Sequence, residues 1–223
     1  APASHERIRY APTAQDVVEV ALPFLTSVPE AIASFGQGCE GEPLLQADVI
    51  LEALRLIRAA TDRGTLNCNT NGSLPDRVEQ MARAGLDSIR ISLSSVLGPA
   101  YTAYYQPRYY RWEDVRESTR RAKALGLYTT INYLVFPGVT DREEELDALL
   151  DLIRETGLDM IQMRNLSIDP ELYLRTVPPP RGKCVSIRMV LRAIRREFPR
   201  VEIGYFNRPK ELFDTRLCEA LVF

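Results

Sequence analysis

The sequence predicts an α/β protein built on a parallel sheet. Short β-branched or apolar runs alternate in strict order with longer stretches of helical period along the 223 residues. Glycines follow the periodic stretches where a helix has to stop. The turns after the strands hold the polar and glycine-rich residues, as in folds whose sites lie at the carboxyl ends of parallel strands.

Each element has its own signal. Thr13, with Asp16 three residues on, reads as the cap of a first helix whose Val17, Ala21, Phe24 and Leu25 share a face. Residues 31–35 read as a buried strand, followed by the glycine-rich turn 36–41. Pro43 suits a first helical position, and Leu45, Val49, Leu54 and Ile57 continue that helix until Gly64. Strand 65–69, turn Asn71-Gly72, helix 74–84 and strand 88–93 come next. An aromatic-rich loop leads to a helix over 112–125, and residues 127–135 return as a strand broken by Pro137-Gly138. Thr140 is the expected cap of an acidic helix over 141–155. A strand at 160–164, an apolar stripe of Ile187, Val190, Leu191, Ile194 and Phe198, and a strand at 201–205 complete the pattern.

Composition narrows the function classes. With 45% hydrophobic and 26% charged residues the chain is an ordinary globular one, not a disordered one. Lys plus Arg number 28 against 30 acids, so the balance does not indicate nucleic acid. No apolar run approaches the roughly 20 residues of a membrane span, and no leader pattern is present, so a cytoplasmic protein without a membrane partner is expected. No linker interrupts the pattern, which predicts a single domain over 1–223 with its core in 13–206. Cys39, Cys68, Cys184 and Cys218 lie too far apart for a zinc knuckle or redox dithiol.

The turn 36–41 matches G-x-G-x-x-G and so raises an NAD(P)-binding oxidoreductase. Two features oppose it. Glu40 and Glu42 would sit beside a pyrophosphate, and the next strand ends in Asn69-Thr70-Asn71 instead of an acid for the ribose. Read as Glu40-Gly41-Glu42-Pro43, the same turn suits a ligand ammonium, because a carboxylate and strand-end carbonyls accept its hydrogen bonds. A tight turn whose acids complement the helix dipole is the other reading.

Several strand ends together resemble the radical S-adenosylmethionine (radical SAM) family over roughly residues 31–165. Gly41-Glu42-Pro43-Leu44-Leu45 is similar to that family's glycine-glutamate-proline turn, with Glu40 in place of its first glycine. Thr70-Asn71-Gly72 ends the next strand as in many members, and Gly85-Leu86-Asp87 enters Ile89-Arg90-Ile91-Ser92-Leu93 like the family's fourth strand. Residues 132–135 with Pro137-Gly138-Val139-Thr140-Asp141, and then 160–165, resemble the fifth and sixth strands.

The resemblance implies an incomplete parallel (β/α)6 TIM-like barrel lacking its first strand. It also implies S-adenosylmethionine (SAM) and a [4Fe-4S] cluster as cofactors, with reductive cleavage of SAM to a 5'-deoxyadenosyl radical, an external electron donor and an unidentified substrate. On that basis Glu42 and its turn (Glu40, Gly41, Pro43) address the methionyl ammonium. Ser92 meets the carboxylate or ribose, Thr70 and Asn132 form the polar rim, and Gln162 or Arg164 lies near the adenine or carboxylate. It names no acid–base catalyst and no metal ligand. A lysine found on the fifth strand of some members is Thr130 here. No cysteines have the family's C-x3-C-x2-C spacing, so the expected account is a chain cut after the cluster loop and inactive as it stands; a cluster-free binding protein is the rival.

Tyr101, Tyr104, Tyr105, Tyr109, Tyr110 and Trp112 form either a lid or a small satellite core beneath their loop. His5 reads as a surface residue, the arginines of 188–200 as a solvated face, and Cys184 and Cys218 as ordinary thiols.

Overall fold

The computed structural model describes residues 10–36, 41–164, 168–204 and 206–215. His5, Cys39, Glu40, Asn165, Tyr205 and Cys218 therefore lie outside the described residues. In chain order the elements are α1 (Ala14–Ser27), β1 (Ile32–Phe35), a 3-10 turn (Pro43–Gln46), α2 (Ala47–Ala60), β2 (Thr65–Thr70), α3 (Pro75–Arg83) and β3 (Ser88–Leu93). There follow α4 (Gly98–Tyr105), α5 (Trp112–Ala124), β4 (Tyr128–Leu134), α6 (Glu143–Thr156), β5 (Met160–Arg164), α7 (Pro170–Thr176), α8 (Ile187–Glu197) and β6 (Glu202–Gly204).

The six strands form one sheet in the order β1-β2-β3-β4-β5-β6, every pair parallel. Each crossover thus steps to the neighbouring strand in one direction, which is the winding of a barrel. A dinucleotide fold reverses direction in its middle, so the oxidoreductase reading of turn 36–41 loses its structural context. Among the described residues β1 pairs only with β2 and β6 only with β5, so the sheet stays open, a partial barrel as expected.

Alternation sorts the strand residues onto two faces. Leu66, Cys68, Ile89, Ile91, Leu93, Ile131, Tyr133 and Ile161 point outward into the core with Leu54 and Ile57 of α2, Met81 of α3 and Val190 and Ile194 of α8. Most of these are fully buried, and each such side chain contributes about 1.5–3 kcal/mol. The inner face is polar. Asn67 Nδ2 donates to Ser34 Oγ (3.1 Å) and Asn69 Oδ1 (3.0 Å), and Ser88 Oγ donates to Asn67 Oδ1 (2.8 Å).

Residues 206–215 run back across this inner face and tie the two edges of the sheet by side-chain bonds. Gln162 Nε2 donates to Phe206 O (3.1 Å), Asn207 Nδ2 to Ser34 Oγ (3.1 Å) and Lys210 N to Thr65 Oγ1 (2.7 Å). Arg208 pairs with Glu202, which accepts from Tyr128 Oη (2.8 Å), and the Tyr128 ring stacks on Phe213 at 4.5 Å. This segment closes the amino-terminal end of the open barrel.

Several local expectations change. Thr140 does not cap α6: its Oγ1 accepts from Phe136 N (2.8 Å), Asp141 Oδ1 accepts from Gly138 N (2.6 Å), and the cap position falls to Arg142. These short-range bonds outcompete the cap because Pro137-Gly138 already bends the chain back. In α1 the buried residues are Ala14, Val18 and Leu25, and Phe24 is exposed. Leu45 is exposed because its 3-10 turn shifts the helical phase before α2. Helices α4 and α7 escaped the sequence pattern. Tyr101 and Trp112 join the main core and Tyr173 packs in a smaller cluster with Tyr104, which agrees with the packing reading of the aromatics; Tyr109 alone among them is 93% exposed. Among the described residues no helix is long and apolar enough to cross a membrane.

Candidate functional site

A polar cavity of about 260 Å³ opens at the carboxyl ends of the strands, lined by Gly36, Gly41, Glu42, Asn69, Thr70, Asn71, Arg90, Ser92, Asn132 and Arg164. Its first wall is the turn after β1. Gly36 has φ +75° and a Cβ there would lie 2.2 Å from Asn69 O, so only glycine lets this turn press against the end of β2. Gly41 has φ +98° and lies in open space, so it is required for backbone direction and not for clearance.

Glu42 links the two turns. Its Oε2 accepts from Asn71 N (2.8 Å), and its Oε1 accepts from Leu44 N (3.1 Å) and from Thr70 Oγ1. Thr70 Oγ1 in turn accepts from Gly72 N (3.0 Å), Asn71 Oδ1 from Ser73 N (2.9 Å), and Ser118 Oγ of α5 holds Gly72 O (2.6 Å). Burial pushes the Glu42 carboxyl above its ordinary value despite the bonds from Thr70, Asn71 and Leu44, which pull the other way. Pro43 is buried behind it at the start of the 3-10 turn.

The opposite wall comes from the inner faces of the central strands. Ser92 and Asn132 are register partners on β3 and β4, and Asn132 is in register with Gln162 of β5. Asn132 Oδ1 is buried with no hydrogen-bond partner among the described residues, an acceptor poised for a ligand N–H or O–H. Arg164 ends β5 on the cavity. Gln162 is fully buried beneath the cavity, its amide engaged by Arg90 and Phe206 O. Gly41, Glu42, Thr70, Ser92, Asn132 and Arg164 thus share one cavity, Pro43 and Gln162 support it, and Glu40 lies outside the described residues.

Sequence reasoning passed over Asn69, Asn71 and Arg90. Parity would have found two of them: Arg90 lies two residues before Ser92, and Asn69 two after Asn67, so each shares an inner face.

A larger apolar groove of about 1020 Å³ adjoins the cavity and shares Gly36, Gly41 and Glu42 with it. It is lined by Ala33, Ser34 and Phe35 of β1, by Val17, Val20 and Phe24 of α1 and by Val49 and Ile50 of α2.

The groups of SAM fit the polar cavity: a carboxylate for its ammonium, an orphan acceptor, a hydroxyl and guanidinium groups. An iron–sulfur cluster does not fit the described residues. Cys68 is fully buried on the outer face, and burial, then the charge of Glu42, push its thiol far above the ordinary range. Cys184 is exposed on a separate bridge to Arg142, and no group of three His, Cys, Asp or Glu among the described residues could hold a metal.

Comparison with solved structures shows the same fold. A domain of pyruvate-formate lyase-activating enzyme from Bacteroides vulgatus ATCC 8482 is 13% identical, with TM-score 0.56 over 79% of this chain and 99% of that one. HydG, a maturase of the [FeFe]-hydrogenase, is 17% identical with TM-score 0.57 over 90% of this chain. The anSMEcpe structure with bound AdoMet and the Kp18Cys peptide is 15% identical with TM-score 0.51 over 72% of this chain. The chain spans 46% of the HydG chain and 45% of the anSMEcpe chain. A search of curated proteins finds no match. The family model described as the Radical SAM superfamily matches residues 6–153, more than half of the sequence, and the chain therefore belongs to the radical SAM superfamily.

Proposed function

We propose that this chain is the SAM-binding wall of a radical SAM enzyme, folded as a single domain over 1–223 with its core in 13–206. Enzymes of the superfamily cleave SAM with an iron–sulfur cluster. The observation that carries the proposal is Glu42: a desolvated carboxylate, held by Thr70, Asn71 N and Leu44 N, on the wall of a polar cavity that also contains the orphan acceptor of Asn132.

The residues divide the work by chemistry. A carboxylate offers about four acceptor sites, and Glu42 uses three, which leaves one for the methionyl ammonium. Thr70 fixes the carboxylate, and Gly41 and Pro43 shape its turn; Glu40, which the family resemblance adds to this group, lies outside the described residues. Asn132 Oδ1 accepts from the adenosyl part, Ser92 meets the ribose or carboxylate, and Arg164 provides a cation for carboxylate or adenine contact. Gln162 acts from below by holding Arg90. The bound cofactor supplies the bond-breaking chemistry; this chain binds it, orients it and excludes water.

None of the 223 residues forms a C-x3-C-x2-C trio, so no step through the cluster is derived from them. The thiolate ligands and the electron donor are supplied from outside these residues, and the chain by itself does not turn SAM over. Anaerobic treatment of the purified chain with iron and sulfide, followed by metal analysis and assay for 5'-deoxyadenosine under reductant, tests this. We expect no stoichiometric cluster and no 5'-deoxyadenosine; a full cluster on this chain, or turnover, contradicts the proposal.

A further inference from the structure

The floor of the polar cavity holds a buried positive charge without a carboxylate partner among the described residues. Arg90 is 8% exposed on the inner face of β3. Its Nε donates to Asn69 Oδ1 and its Nη1 to Gln162 Oε1, both at 2.8 Å, and both acceptors are neutral amide oxygens. No ion pair among the described residues includes it. Buried guanidinium groups are normally matched by an anion, because neutral acceptors replace only part of the lost hydration.

The setting reinforces the imbalance. Burial, and then the like charge of Arg164, lower the Arg90 guanidinium to about 10, so it stays charged at neutral pH. Glu42 is the one carboxylate that lines the cavity among the described residues, and its bonds run to Thr70, Asn71 and Leu44. The Arg90 fork is also held rigid. Asn69 Oδ1 is fixed by Asn67 Nδ2 (3.0 Å) and Gln162 by Phe206 O (3.1 Å). Two of the five N–H donors of the guanidinium are used, and the rest are available where Arg90 lines the cavity.

We propose that Arg90 is the receptor for an anionic oxygen group, a carboxylate or phosphate, on a molecule bound in the barrel. The inference rests on the reading of the cavity as a SAM site. Two sources share this chemistry: the methionyl carboxylate of SAM and an acidic substrate. Arg90 is in register with Thr130, one layer below the Ser92–Asn132 pair, so an anion on it lies deeper than the groups those two residues hold. That depth favours an acidic substrate.

Calorimetry on the chain with SAM, decarboxylated SAM, acetate and inorganic phosphate tests the proposal in wild type, Arg90→Gln and Arg90→Lys. If the anion belongs to a substrate, phosphate or acetate binds the SAM-saturated wild type and is weakened about tenfold or more in R90Q, with partial recovery in R90K and SAM affinity nearly constant. If it belongs to the cofactor, R90Q weakens SAM about tenfold and leaves decarboxylated SAM nearly unchanged. Either pattern supports Arg90 as the receptor. Unchanged affinities for SAM and both anions in an R90Q protein with a wild-type melting transition overturn it. Should R90Q not fold, R90K carries the test: the point charge without the fork binds the anion several-fold more weakly, and equal affinity overturns the proposal. A wild type that does not bind SAM, while phosphate still binds the unliganded chain in an Arg90-dependent way, marks failure of the SAM reading and not of this one.

Discussion

Glu42 Oε2 accepts a hydrogen bond from the backbone N–H of Asn71 at 2.8 Å, which fastens the turn after β1 to the turn after β2. The acid that would receive a ligand cation is therefore also the clasp between two strand ends. Changes in its surroundings should alter binding and local order together.

Thr70→Val removes the hydroxyl that donates to Glu42 and accepts from Gly72 N. The shape is kept and two bonds are lost, so the chain should lose about 1–3 kcal/mol of stability and bind SAM several-fold more weakly. Denaturant midpoints and calorimetry read the two effects separately.

Acid should weaken SAM binding before it unfolds the chain. Because burial raises the Glu42 carboxyl above 4.5, the folded chain holds this proton more tightly than the unfolded one. Its contribution to folding is thus fully present below 4.5 and is lost as pH rises through the folded-state value. Cation binding runs the opposite way, since it needs the ionised form, and SAM affinity should fall as pH drops through that window. Asp87 and Glu145 are also raised by burial, so the stability arm must be taken as the difference between wild type and Glu42→Gln.

Gly36→Ala should be strongly destabilising, by roughly 2 kcal/mol or more, because the new Cβ meets Asn69 O and the residue must keep a positive φ. Thermal melts with and without SAM check it. The loss should be larger in the presence of SAM, as the displaced turn is the one proposed to hold its ammonium.

Glu145 of α6, 2% exposed, accepts from Ser95 Oγ, Val96 N and Tyr133 Oη, each at 2.8 Å, and anchors the segment that follows β3. Glu145→Ala leaves those donors buried and should cost about 2–4 kcal/mol in chemical denaturation, while Glu145→Gln, which retains an acceptor, should cost less. SAM affinity should change little in the folded Gln variant.

The strands and the main helices could be read from the sequence because their apolar periods are long and glycines mark their ends: Gly64, Gly85, Gly126 and Gly157 all have positive φ. Glu42, Thr70, Ser92 and Asn132 could be placed near one another because all close strands at the same end of the sheet. Arg90 was passed over because an arginine inside a strand looks like any solvated residue, although its parity with Ser92 already placed it on the same face. The course of residues 206–215 was hidden for a different reason: its bonds to Ser34, Thr65 and Gln162 and its ring stack on Tyr128 reach residues far away in sequence, with no periodicity to betray them. Helix α4 was masked by aromatics that pack on two sides, so it has no apolar stripe.

The central claim is that Glu42 receives the ammonium of SAM. Calorimetric titration of SAM into wild type and Glu42→Gln, with NAD(P) as a control ligand, addresses it most directly. The account predicts measurable SAM affinity in wild type, a loss of about tenfold or more in E42Q, and no heat from NAD(P) in either. Equal SAM affinity in the two proteins, or binding of NAD(P) in its place, would contradict it.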